Sequence, residues 1–183
     1  MAVTSTMLEL GTKAPQFSLP SVTDGSTVSL GDYTDRPLLV VFMSRHCPYV
    51  KHIEAKFAEV ANRFQADGGA AVAISANDIT SHPEDAPEKL KEQAQENGFE
   101  FPYLFDESQD VARAYTAACT PDFFLFDRNH ELVYRGRFDG SRPKNDEPVT
   151  GTDLSAALTA VLAGEAVPAE QRPSMGCSIK WRG

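Results

Sequence analysis

The residues best suited to chemistry lie together in Arg45-His46-Cys47-Pro48-Tyr49-Val50-Lys51. If Pro48 opens a helix, Cys47 is its N-cap, because a proline at the first helical position gives up an N–H that has no partner there. A sulfur at that cap is expected to face the free N–H groups of Tyr49 and Val50, at the positive end of the helix dipole. Such a setting favours thiolate over thiol, and Arg45, His46 and Lys51 add positive charge beside it. A thiolate is a nucleophile, so Cys47 reads as a catalytic candidate. The competing reading is a buried, inert cysteine, a common fate of free thiols.

The elements needed to hold Cys47 in place are legible around it. Leu38 to Met43 is a continuous apolar run, as in a strand covered on both faces within a parallel sheet. After the turn at Cys47, Val50, Ile53, Phe57, Val60 and Phe64 recur at steps of three and four, one face of a helix. Gly68-Gly69 ends it, and Ala70 to Ala76 is a second buried strand. Strand, helix and strand form a βαβ unit, expected to be right-handed. Such sheets place their sites at the C-terminal strand edge, where Cys47 falls and where Asn77-Asp78 also emerge. For Asn77-Asp78 a pocket role competes with plain capping.

Upstream, residues 14–37 read as a hairpin turning at Asp24-Gly25. Downstream, Asp85 with Glu88 has the spacing of a capping box for a helix ending at Asn97-Gly98. Phe101 to Phe105 reads as a short strand and Ser108 to Tyr115 as a short helix. Asp122 to Asp127 and Glu131 to Arg137 read as a hairpin, followed by a polar loop from Gly140 to Gly151. Leu154, Ala157, Leu158, Val161 and Leu162 stripe a last helix stopping at Gly164. The fold class is therefore α/β: a mixed sheet of about five strands with helices on both faces, an extra N-terminal hairpin and a C-terminal tail. The whole chain, 1–183, reads as one domain, with residues 1–13 free to be flexible. Residues 165–183 are an extension that Ile179 and Trp181 pack down.

Composition narrows the classes. The 183 residues carry 17 Lys and Arg against 26 Asp and Glu, a net charge of −9. That balance works against nucleic-acid phosphates or an anionic membrane surface as partner. No segment resembles a secretory signal or a membrane span, so the expected compartment is the cytoplasm, which is reducing. Three cysteines are too few, and odd in number, for a disulfide framework. Among the histidines, His46 borders Cys47 and is a candidate for tuning it. His52 reads as surface or supporting, His82 as a loop residue, and His130 as the solvated tip of a hairpin. The Glu84 to Glu96 run reads as a wet helix face.

Taken together, a strand, a turn cysteine, a long helix and Thr120-Pro121 before a later strand resemble the thioredoxin fold. LGTKAPQFSLPSVTDGSTVSLGDY resembles the entry hairpin of the redoxin branch, the alkyl hydroperoxide reductase/thiol-specific antioxidant (AhpC/TSA) superfamily. RHCPYVKHI, CTPDFFLFD and PSMGCSIKW resemble its peroxiredoxin-like "thioredoxin family protein" group, over nearly the whole chain. The resemblance implies a cis Pro121 facing Cys47, with Thr120 offering its backbone to a bound disulfide or peptide. It also brings Cys119 toward Cys47. Either Cys119 or Cys177, the latter in a tail able to fold over the site, could resolve an oxidised Cys47; core packing and tail packing are the plain alternatives.

The departures from the family patterns are informative. Thioredoxins have a second cysteine where Val50 stands and a buried acid where Val41 stands. Peroxiredoxins carry Pro and Thr where this chain has Val40 and Ser44, and an Arg where it has Pro121. Ser44 is a candidate hydrogen-bond donor to the sulfur; Arg45, Arg135 and Arg137 are candidates to replace the missing arginine. The expected function is a thiol-dependent oxidoreductase and antioxidant without cofactor or metal. Cys47 is its catalytic residue, with Cys119 and Cys177 as resolving candidates. Ser44, Arg45, His46, Pro48, Thr120 and Pro121 are its groove and tuning residues. The expected partners are a disulfide-containing protein or a peroxide, with an external thiol such as thioredoxin or glutathione, and a homodimer is a candidate assembly. Without the peroxide-binding residues, disulfide exchange is the favoured chemistry. The alternatives are a metal-binding module using Cys47, His46, Cys119 and Cys177, and a non-enzymatic module binding peptides along the proline groove.

Overall fold

The computed structural model describes residues 1–183. Its centre is a five-stranded sheet built from β4 (Leu38–Phe42), β5 (Ala70–Ser75), β6 (Tyr103–Phe105), β8 (Asp122–Phe126) and β9 (Leu132–Tyr134). The order is β6-β5-β4-β8-β9, with β4, β5 and β6 parallel and β8 and β9 antiparallel to their neighbours. Every residue of β4 and β5 is buried, as their unbroken apolar runs require.

Alternation along the strands divides the core in two. Leu39, Val41 and Met43 face one layer, with the buried faces of α1 (Pro48–Ala66), α2 (Pro87–Asn97) and α4 (Thr152–Leu162). Leu38, Val40 and Phe42 face the other, with α3 (Asp110–Ala114), Phe17 and the hairpin of β2 (Ser18–Pro20) and β3 (Thr27–Ser29). Phe57 anchors the first layer, with ring contacts to Phe99, Phe101, Phe123 and Phe138. Tyr115, packed on Phe42, Phe124 and Phe126, anchors the second. This is the thioredoxin-like arrangement, with helices on both faces. No helix is long and apolar enough to cross a membrane.

Two local expectations are corrected. Asp85 does not cap α2, whose N-cap is Ala86 and whose first residue is Pro87; the Asp85 carboxylate is turned inward. His130 is half-buried rather than solvated, because its ring bonds the Tyr33 carbonyl at 2.9 Å. A third difference concerns the two ends of the chain. They form a small sheet: β1 (Ala2–Thr4) and β7 (Cys119–Thr120) flank β10 (Met175–Ser178) in the order β1-β10-β7. Residues 2–4 of the lead-in are thus in a strand. Beyond β10, Ile179 is buried in the second layer and Trp181, partly exposed, stacks under Arg113 at 5.0 Å.

Candidate active site

Cys47 is the N-cap of α1, in extended backbone geometry, with Pro48 at the first helical position. Its carbonyl accepts from Val50 N at 3.1 Å and Lys51 N at 3.0 Å. The sulfur, contrary to expectation, makes no capping bond to the helix. It donates instead to the carbonyl of Thr120 at 3.2 Å. The Val50 N–H, expected to face the sulfur, is already taken by the Cys47 carbonyl, and Thr120 belongs to the loop where the Thr120–Pro121 bond is cis. Cys47 is fully buried and belongs to the first core layer. The cysteine and the proline loop are therefore in contact, but both lie beneath a cover.

That cover is β10. Cys177 pairs with Thr120 and Ser178 with Cys119, antiparallel along the strand edge beside the cis proline. Ser174 Oγ donates to Pro121 O at 2.6 Å, and Ile179 N to Ala118 O at 3.1 Å. Gly176 lies so close over this loop that an added Cβ would overlap the Thr120 carbonyl oxygen and sit 2.6 Å from its carbon. Only glycine allows the tail to cross here. Cys177, half-buried, is brought against Cys47. Burial, then its interaction with the Cys47 thiol, pushes the Cys177 thiol up to about 11. Cys119 is fully buried, its thiol directed at Pro121 O at 3.5 Å. Burial, then the Asp122 charge, pushes its ionisation far above the ordinary range. The two resolving candidates thus differ: Cys177 is half-buried beside Cys47, and Cys119 is enclosed.

The remaining candidates are placed as follows. Ser44 Oγ bonds Thr120 Oγ1 at 3.2 Å and not the sulfur, so it braces the proline loop. Arg45 points away, its guanidinium on Lys89 O, Glu92 and Glu96 of α2. Arg135 is held by Leu8 O and Gln171, and Arg137 by Asp153. None of the three proposed replacement arginines is directed at Cys47. His46 Nδ1 donates to the Asp85 carboxylate at 2.5 Å, and its ring centroid lies 4.7 Å from that of His82, the two planes tilted by 33°. His52 Nε2 is buried without a partner and lines a cavity of about 20 Å³ with Tyr49 and Pro121. No group of three or more His, Cys, Asp or Glu side chains is arranged to hold a metal ion.

Residues 10–135 match the AhpC/TSA family. The chain belongs to that family. Membership places it with thiol oxidoreductases and peroxiredoxin-like proteins. A Mycobacterium tuberculosis protein provisionally named a peroxiredoxin is 34% identical over 114 residues, 62% of this chain and 67% of that protein. An uncharacterised conserved protein of Geobacillus kaustophilus has a crystal structure with TM-score 0.97 and 50% identity, covering 100% of this chain and 97% of its own. A Chlorobium tepidum structure assigned as a thiol:disulfide interchange protein shares the fold, with TM-score 0.65 and 24% identity over 85% of this chain and 99% of that one.

Two buried polar residues beside the Cys47 turn and the tail were not legible in that role from the sequence. Asp85, read as a cap, accepts from Arg45 N at 2.7 Å, His46 N at 3.2 Å and Asn77 Nδ2 at 2.9 Å, besides His46 Nδ1. Burial raises its ionisation, but the bonds from His46 and Asn77 outweigh it and hold the carboxyl below its usual range. Gln109, buried, donates to Ala76 O and Lys180 O and accepts from Arg182 N. Nothing in the local sequence marks either one, because their partners lie far along the chain.

Proposed function

We propose that this chain is a thiol-dependent oxidoreductase whose working pair is Cys47 and Cys177, with Cys119 a structural thiol. One observation carries the reading: β10 lays Cys177 opposite Thr120, the residue whose carbonyl holds the Cys47 sulfur. A dithiol pair then exists without a Cys-x-x-Cys motif, its second sulfur supplied by the tail.

The steps follow thiol–disulfide exchange. With β10 lifted from the proline loop, the Cys47 thiol loses its proton to solvent and, as thiolate, attacks one sulfur of a substrate disulfide. The other sulfur leaves as a thiolate and takes up a proton. Cys177, deprotonated in turn, attacks the Cys47 sulfur of the mixed disulfide and expels the second substrate thiolate. The substrate has gained two electrons and two protons, and Cys47–Cys177 is the disulfide left behind. An external dithiol reverses the change. Disulfide exchange is favoured over peroxide reduction because Val40, Ser44 and Pro121 stand where a peroxiredoxin has Pro, Thr and Arg. The family match favours a second reading with the same residues. There a hydroperoxide oxidises Cys47 to a sulfenic acid, releasing an alcohol or water, and Cys177 condenses with it, releasing water.

Peptide mapping after mild oxidation without reductant tests the pair. The expected product is a Cys47–Cys177 link, absent in Cys47→Ser and Cys177→Ser and kept in Cys119→Ser. A Cys47–Cys119 link, or none, overturns the assignment. Rates of link formation with glutathione disulfide and with hydrogen peroxide separate the two oxidants.

A further inference from the structure

We infer that Asp85 and Asn77 are positioning residues that hold the two sulfurs together, as a bracket from the turn before Cys47 to the backbone after Cys177. The inference rests on the proposed pair. At one end, the Asp85 carboxylate takes the main-chain N–H groups of Arg45 and His46 and the ring of His46, the residue immediately before Cys47. At the other end, Asn77 Oδ1 accepts from Lys180 N at 2.8 Å, three residues after Cys177. The middle of the bracket is the bond from Asn77 Nδ2 to Asp85 Oδ2, 2.9 Å long and buried. Both side chains are almost fully enclosed, at 1% and 4% exposure.

The Lys180 peptide is gripped on both sides. Its carbonyl accepts from Asp78 N at 2.8 Å and Gln109 Nε2 at 2.9 Å. A carboxylate that only satisfied a loop would need no connection to the end of the chain. Here one buried carboxylate and one amide join two segments that covalent connectivity leaves far apart. The chemistry gives this joint a use. The two sulfurs form a disulfide only as readily as the tail is presented to Cys47, and a freed segment of this kind offers its thiol at a much lower effective concentration. The bracket sets that concentration, so it sets how strongly the pair prefers the disulfide.

The test is the equilibrium of full-length protein with glutathione and glutathione disulfide, in a Cys119→Ser background. Asn77→Ala and Asp85→Asn are each expected to lower the equilibrium constant for the Cys47–Cys177 disulfide about tenfold, equal to about 30 mV for a two-electron couple. The exchange of both residues, Asp85→Asn with Asn77→Asp, keeps one donor and one acceptor in the joint. It is expected to restore the constant to within about threefold of the parent. Constants equal in parent and single variants, whatever the change in melting temperature, overturn the bracket. A double exchange as impaired as the singles also overturns it. A parent that forms no Cys47–Cys177 disulfide overturns the proposed pair itself, which is a separate outcome. Asn77→Ser leaves Asp85 its three other donors and carries the test if the Asp85 variant does not fold.

Discussion

Substituting Gly176 by valine sets the tail against the cis-proline loop without touching either sulfur. The first added carbon would lie 2.6 Å from the Thr120 carbonyl carbon and 3.2 Å from Pro121 N, and would overlap the Thr120 oxygen. All three are backbone atoms, so no side chain can swing aside. Ordinary contact needs at least 3.4 Å and the overlapped Thr120 oxygen is the closest of the three, so β10 must retreat by about 1.5 Å. Main-chain bonds such as Ile179 N to Ala118 O, now 3.1 Å, then stretch past a useful length. Losing two or three such bonds at about 1 kcal/mol each raises the population with the tail open by about 30- to 150-fold. Cys47 is fully buried in the closed form, so its alkylation reports that population. Iodoacetamide labelling of reduced protein, followed by mass spectrometry of the Cys47 peptide, is expected to run about 30- to 150-fold faster in Gly176→Val than in wild type. The yield of Cys47–Cys177 link should fall in parallel. Gly176→Ala should behave similarly, since the clash begins at Cβ. Unchanged labelling and unchanged linkage in both variants would refute the idea that the tail is the cover over Cys47.

Two further outcomes follow from ionisation. Asp122 is fully buried, and burial, which outweighs its bond from Ala118 N, pushes it up to about 6 from 3.8. The folded protein therefore holds a proton there that the unfolded chain loses first, so stability falls as pH rises between about 4 and 6 and the cost is complete above that. The gap is worth about 3 kcal/mol, so Asp122→Asn should melt about 6–12 °C higher than wild type at pH 7 and no higher at pH 3.5. Equal melting temperatures at pH 7 would refute this. Cys177 ionises near 11 while Cys47 is a free thiol, and in the mixed disulfide the contribution from Cys47 ionisation is gone. Closure of the Cys47–Cys177 link from a mixed disulfide on Cys47, followed by stopped-flow release of a chromogenic thiol, should quicken as pH rises through 8–10. A flat profile would remove Cys177 as the closing thiolate.

The amino-acid sequence alone determined what depends on near neighbours. The unbroken apolar runs at Leu38 and Ala70 specify buried strands, the three-and-four spacing from Val50 to Phe64 specifies a helix, and Pro48 marks its first turn with Cys47 as cap. These signals are local because hydrogen-bond periodicity and steric preference act over a few residues. Cys47 was legible from that cap, whereas the roles of Thr120–Pro121 and of Cys119 came from the resemblance to the thioredoxin fold. Tertiary structure decided everything that joins distant segments. Residues 175–178 have no strand-like alternation, yet they form a strand because β1 and β7 lie on either side to bond them. Asp85 looks like a helix cap in a linear reading, and becomes the buried acceptor for Arg45, His46 and Asn77 once β4 and β5 bring those loops to one sheet edge. Ser44 and Arg45 adjoin Cys47 in the chain but turn from its sulfur, toward Thr120 and α2 respectively. Which sulfur meets Cys47 is decided the same way, since a thiol's partner is set by where the folded backbone carries it and not by spacing along the chain.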